Sequence, residues 1–270
     1  MNLIELTDLI SVQVEDIGNT KIPLRLKMHQ VNAVQSYLAN LVANAEADIV
    51  SATITMTPVS DGVSLPADFL RARDINVNEI PVEIIQPAQR YMFEDVVGDW
   101  PAGCGAYFAY FRGNKIFFYE GMIGGSDVSF TYTRRLPRLH RGRPQAIGST
   151  SITLADEALI GRVETSDDYY NHATIMIVSG TGSGQEREVT DYVGSTKVAT
   201  VAEWDVTPDT SSIYEIKCEL PEDPDFHVLL CDIVSDKLGK GKGNRQVYDD
   251  LEMKLGQLSS RNSQNGWLIL

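Results

Sequence analysis

Positive charge is in short supply. Lys and Arg total 23 against 37 Asp and Glu, so the 270-residue chain carries a formal net charge of −14. Such a surface repels nucleic acid and anionic lipid at long range, which argues against a protein that reads DNA sequence. A conduit through which DNA slides without sticking is still compatible with it. Cysteine is scarce as well. Cys104, Cys218 and Cys231 are an odd number without a Cys-x-x-Cys pair, and they read as reduced, buried thiols of a cytosolic chain. No apolar run approaches the roughly 20 residues that a membrane span needs. The opening MNLIELTDLISVQ carries Glu5 and Asp8 and no basic segment, so it is not expected to act as a secretory signal.

Catalytic and metal-binding patterns are missing too. His29, His140, His172 and His227 stand far apart, with no His-x-x-x-His or His-Glu-x-x-His spacing, so no zinc site is expected. There is no Gly-x-Ser-x-Gly elbow. Gly180-Thr-Gly182-Ser-Gly184 imitates a phosphate loop but lacks the Lys-Ser/Thr pair, and a β-rich segment follows it where a helix should start. It reads as a hairpin turn needing positive φ. The acidic pairs Asp156-Glu157, Asp167-Asp168, Glu222-Asp223 and Asp249-Asp250 read as solvated faces and caps. Asp167-Asp168 lacks the Asp-x-Asp-x-Asp-Gly spacing of a calcium loop. The expectation is a protein without enzymatic activity, cofactor or metal.

What the chain does contain is a β-rich segment within a helical frame. Hydrophobic content of 43% and charged content of 22% are those of a soluble globular protein, and the length suits two domains, one inserted in the other. Asn2–Glu15 has helical spacing that Gly18-Asn19 stops, and Lys27–Glu46 places Val31, Val34, Leu38, Leu41 and Ala45 on one stripe that Tyr37 and Val42 widen. Ala52–Thr57 alternates like a strand ended by Pro58. The unit Val63–Arg71, a strand at Val82–Ile85 and an amphipathic turn at Gln89–Val96 follow. Then come the aromatic runs Ala106–Phe111, Lys115–Tyr119 and Val128–Tyr132, the first two joined at Arg112-Gly113-Asn114.

Between Thr165 and Ile216, the runs Thr174–Val178, Glu188–Tyr192, Lys197–Ala202 and Ile213–Lys217 are short and β-branched, with turn chemistry between them. They predict a small antiparallel sandwich or barrel. Asp225–Leu258 returns to helix in two stripes, broken at Gly239–Asn244, and the polar tail ends in Trp267-Leu268-Ile269-Leu270. The fold class is therefore α+β. A discontinuous helical body over 1–143 and 218–258 includes the aromatic hairpin, 144–217 is the inserted β domain and 259–270 is a tail.

Arg134, Arg135, Arg138, Arg141 and Arg143 concentrate positive charge within ten residues of an acidic chain. They form either a solvated linker or a patch that pairs with the acidic flank of a neighbouring copy, DNA contact standing behind both. Lys240, Lys242 and Arg245, around a glycine-rich break, either separate two helices or face DNA or a partner.

Leu65-Pro66-Ala67-Asp68-Phe69-Leu70-Arg71, the hairpin from Ala106 to Tyr119, the exit strand Phe130-Thr-Tyr-Thr-Arg-Arg-Leu-Pro137 and Leu220-Pro221-Glu222-Asp223 together resemble the head-to-tail adaptor, or connector, proteins of tailed bacteriophages. The inserted β domain resembles modules of phage virion proteins, although a minimal adaptor lacks it. The resemblance implies a ring, a dodecamer, bound to the portal protein in the neck between capsid and tail. There it seals the head, offers a platform to tail or nozzle proteins and lets packaged DNA pass without sequence-specific binding. Such a protein is made in the host cytoplasm and needs no membrane. On this reading the arginine cluster meets acidic helices near Glu222–Asp236 of the next copy. Trp267–Leu270 docks either in a portal groove or on its own domain. The alternative is a tail or receptor-binding protein whose β domain contacts a glycan or a tail fibre through Tyr169, Tyr170, Trp204 and Tyr214. A hydrolase using Asp167 or Asp168 is the remaining reading.

Overall fold

The computed structural model describes residues 1–44, 50–88, 107–119, 122, 125, 127–156, 159–222, 225–239 and 244–265; for 44, 244, 245 and 260–265 it describes the backbone alone. The chain divides into two compact units, 1–50 with 135–270, and 51–134. This grouping is not the one drawn from the sequence, where the aromatic strands belonged with the helices and 144–217 stood apart. In the structure the side chains of the helices and of the insertion share one continuous core, and the aromatic strands have a core of their own.

The helices of the larger unit begin with α1 (Leu3–Gln13), set by a capping box in which Asn2 and Glu5 exchange side-chain and backbone hydrogen bonds. The first helix ends before Gly18. Its stop is the turn around Asp16, whose carboxylate accepts the backbone N–H groups of Thr20, Lys21 and Ile22 at 2.8–3.1 Å. Burial pushes the Asp16 carboxyl up, but these donors outweigh it and hold it well below the usual carboxylate range. Lys27, fully buried, completes the turn by donating to Ser11 Oγ, Asp16 O and Asn19 Oδ1 at 2.9–3.0 Å.

The second helix, α2 (Leu24–Asn44), buries Val31, Val34, Leu38 and Val42 completely, each contributing roughly 1.5–3 kcal/mol. Tyr37 does not widen this stripe. It is 42% exposed, on the far side of the helix. Helix α3 (Phe226–Lys237), capped by Asp225, packs on α1 and α2, and α4 (Asn244–Asn265) packs on α3 and α2. Gln13 ties α1 to α3 by donating to Asp232 Oδ1 and accepting from Ser235 Oγ.

The described residues of the smaller unit form one seven-stranded sheet: β1 (Ser51–Met56), β2 (Val63–Ser64), β3 (Phe69–Val77), β4 (Ile80–Ile84), β5 (Tyr107–Arg112), β6 (Lys115–Phe118) and β7 (Val128–Arg134), in the order β1-β7-β3-β4-β5-β6-β2. Gly113 takes the positive φ of the tight β5–β6 hairpin. β3 runs on past Arg71, where the unit read from the sequence stops, and two register shifts, at Phe69/Arg71 and Ala72/Asp74, break its alternation. The β4–β5 pair is parallel, which requires a long crossover through residues 85–106. The amphipathic turn expected at Gln89–Val96 lies there, outside the described residues.

The short signature motifs meet in this unit. Asp68 of the Leu-Pro-Ala-Asp-Phe run accepts the Tyr132 hydroxyl at 2.8 Å, and the Phe69 ring lies 5.8–5.9 Å from Phe111, Phe130 and Tyr132. Burial, then the Asp68 charge, raises the Tyr132 hydroxyl well above its ordinary pKa.

The insertion is also a seven-stranded sheet: β8 (Arg141–Gly142), β9 (Ala146–Gly148), β10 (Ser151–Thr153), β11 (Thr174–Ser179), β12 (Glu186–Val193), β13 (Val198–Val201) and β14 (Ile213–Ile216), in the order β8-β14-β11-β12-β13-β10-β9. The long strands β11–β14 fall where the β-branched runs predict them. The two outermost strands, β8 and β9, are consecutive in the chain. The span from Gly142 to Ala146 is at most about 14 Å, so the sheet curls back on itself as a nearly closed barrel. Gly180, Gly182 and Gly184, all at positive φ, form the β11–β12 turn expected of them rather than a phosphate loop.

Candidate functional site

The exit from the aromatic sheet runs as an extended segment through Gly142, and this is where the positive charge concentrates. Two amides of α2 hold it in place. Gln35 Nε2 donates to Pro137 O at 2.8 Å, while Asn32 Oδ1 accepts from Leu139 N at 2.7 Å. Further along, Arg141 exchanges backbone hydrogen bonds with Ile160 at 2.8 and 3.1 Å, fixing the 159–162 loop.

The five arginines do not share one patch. Arg134 is buried at the end of β7 in the smaller unit, whereas the other four belong to the larger one. Arg138 pairs with Glu164 at 2.9 Å. Arg141 pairs with Glu215 at 2.6 Å, and the other Glu215 oxygen accepts from Leu3 N at 3.0 Å. A buried carboxylate thus faces the positive end of α1 and links that helix to the barrel. Arg135 and Arg143 are exposed and have no ion-pair partner among the described residues. Sequence alone could not separate these roles, because Glu164 and Glu215 arrive through the folding of the barrel.

The acidic partners expected near Glu222–Asp236 are engaged at home in part. Asp225 caps α3 and Asp232 receives Gln13. Lys240, Lys242 and Trp267–Leu270 lie outside the described residues, as does the side chain of Arg245.

A second basic feature was not legible. Arg25, His29 and Asn32 from the start of α2, together with Arg138, Arg162, Leu24, Met28, Leu159, Ile160 and Gly161, line a groove of about 550 Å³. Among the described residues no acidic side chain lines it. Arg25, His29 and Arg162 are exposed, and none has an ion-pair partner among the described residues. Their separation in sequence hid the site. One local signal was available: Arg25 sits in the first turn of α2, against the helix dipole, where an acidic side chain is usual.

The aromatics of the barrel point into its core instead of forming a contact surface. His140 is fully buried between Tyr214 and Tyr170, with ring nitrogens 3.2 and 3.3 Å from their hydroxyls. Tyr170 packs edge-on against Tyr192 at 4.8 Å. Each hydroxyl is satisfied. Tyr214 accepts from Ala155 N, Tyr170 accepts from Glu164 N, and Tyr192 donates to Glu164 O at 2.6 Å. Burial lowers the His140 pKa to about 3, only partly offset by a hydrogen bond with the Arg138 backbone, and pushes the Tyr192 hydroxyl up to about 12.

Of the four aromatics expected to stack on a sugar, Tyr170, Tyr214 and Trp204 are buried and Tyr169 is half-buried. They build the core, so no such face is presented. Asp167 is likewise a structural acceptor, taking Gly194 N at 2.8 Å. Cys218 and Cys231 are free and buried, and burial pushes both thiols up to about 12. Cys104 lies outside the described residues. Among those residues no group of three or more His, Cys, Asp or Glu is placed to hold a metal ion, and no helix is long and apolar enough to cross a membrane.

The buried charges of this chain thus hold its own elements together, and its unengaged cations lie at the surface, an arrangement suited to docking against other proteins. Residues 1–174 match the SU10 adaptor protein family, more than half of the chain, and the protein belongs to that family of phage-related structural adaptors. The match takes in α1, α2, the whole aromatic sheet and the barrel up to the first residue of β11. No curated protein matches the chain. Membership places the protein in the virion, in interaction with other phage head or tail proteins.

Proposed function

We propose that this adaptor stands in the neck between capsid and tail. It binds the portal ring, forms an oligomeric ring, a dodecamer, around the DNA conduit and provides the platform to which tail or nozzle proteins attach. The family match over residues 1–174 carries this reading. The net charge of −14 supports it, since an acidic conduit repels the passing duplex and prevents it from sticking. A passive role also suits the charged side chains inside the larger unit: Asp16, Lys27, Arg141 and Glu215 each hold one structural element to another. On this reading the protein makes and breaks no bond and takes no cofactor.

The test is reconstitution. Purified protein mixed with the portal of the same phage co-migrates with it, and negative-stain images show an added ring beneath the portal. Absence of co-migration, or particles lacking this protein that stay closed and infectious, overturns the proposal.

A further inference from the structure

The groove at the start of α2 concentrates cations in a chain with an excess of acid. Arg25 and Arg162 stand exposed in it beside His29, and Glu164 partly neutralises Arg138. Placing Arg25 at the positive end of a helix disfavours the free state. An anion bound there would reverse that penalty. The groove is also partly apolar: Leu24 lines it, Leu159 is 54% exposed in it, and Leu26 beside it is 44% exposed. Its occupant should therefore offer carboxylates and apolar side chains together, which a phosphate backbone does not.

The chain has such a face. On α4, Tyr248 and Met253 are 45% and 55% exposed, and the exposed carboxylates Asp249 and Glu252 lie between them. The pairs 248/252 and 249/253 are four residues apart, so all four side chains lie on one side of the helix. Neither acid has an ion-pair partner among the described residues. We infer that the groove lined by Arg25 and Arg162 receives the Tyr248–Met253 face of α4 from a second copy of this chain. The two faces differ, so the contact is heterologous and repeats from copy to copy, as a ring requires. The inference rests on the assembly of copies proposed above, and it adds which surfaces meet.

A charge swap tests it. Sedimentation equilibrium of the full chain at low salt and millimolar concentration should show self-association that weakens as salt rises. Arg25→Glu with Arg162→Glu should weaken that association at least about tenfold, and so should Asp249→Arg with Glu252→Arg. Mixing the two double variants should restore it, since each then supplies one functional face to the other. The restoration also shows that both variants fold. Loss without restoration, unchanged association in either variant, or a wild type that stays monomeric overturns the inference. Binding of arbitrary duplex DNA that disappears in Arg25→Glu/Arg162→Glu, without self-association, would assign the groove to phosphate and overturn it too. Portal co-migration is read separately. A groove variant that still binds the portal leaves the adaptor role standing, and a successful swap in a protein that ignores the portal removes that role alone.

Discussion

Two seven-stranded sheets in this chain solve the same packing problem with different interiors. The 51–134 sheet has an aromatic stack of Phe69, Phe111, Phe130 and Tyr132, with the Tyr132–Asp68 hydrogen bond set among the rings. The 141–216 barrel buries three tyrosines around one histidine, each with its own hydrogen-bond partner. Stacked rings tolerate imprecise geometry, because dispersion and area burial are weakly directional. A hydrogen-bonded interior requires every donor and acceptor to arrive in register and penalises any that does not. The aromatic sheet should therefore respond mainly to lost volume, and the barrel to changes in proton affinity.

The largest effect expected is from Phe130→Ala, which opens a cavity in the stack and should cost about 4 kcal/mol, measured by chemical denaturation. The next separates the two sheets by pH. In the folded barrel His140 stays neutral down to about pH 3, whereas in the unfolded chain it takes up a proton near 6.5. Its contribution is therefore complete above pH 6.5 and falls away as the pH drops toward 3. Between pH 6.5 and 5 the loss should reach roughly 2 kcal/mol. Burial lowers the His227 pKa as well, so it adds to the loss in the same direction. The 51–134 sheet contains no histidine, so hydrogen exchange should show the slope only in the larger unit. His140→Gln should flatten it without abolishing it.

A smaller effect is expected from Tyr132→Phe, which leaves a buried Asp68 oxygen without its hydroxyl donor and should cost about 1–2 kcal/mol. If Tyr132→Phe costs as much as Phe130→Ala, the contrast between the two interiors collapses. Thr131→Val, on the exposed Thr53–Thr131 cross-strand pair, should change stability by less than about 0.5 kcal/mol.

Much of this fold can be read locally. The runs at 174–178, 188–192 and 213–217 become strands because β-branched and aromatic residues concentrate there between turn residues, and α2 follows its Val31–Val42 stripe. What escaped was short or irregular: β8 to β10, each two or three residues long, and the bulged β3. The Leu-Pro-Ala-Asp-Phe and Phe-Thr-Tyr-Thr runs signalled a family because they are contiguous. Their shared purpose, the Asp68–Tyr132 contact, spans 64 residues and needed coordinates.

The long helices, the longer barrel strands, the acidic balance and the family were legible in the chain alone, because each is written in neighbouring residues or in composition. Only the tertiary structure decided what the charges do. Arg141 becomes an internal tie because strand pairing brings Glu215 to it, Arg138 meets Glu164 from a loop of the barrel, and Arg25 gains Arg162 as a neighbour across 137 positions. Electrostatic energy depends on distance in space, and the fold alone sets that distance.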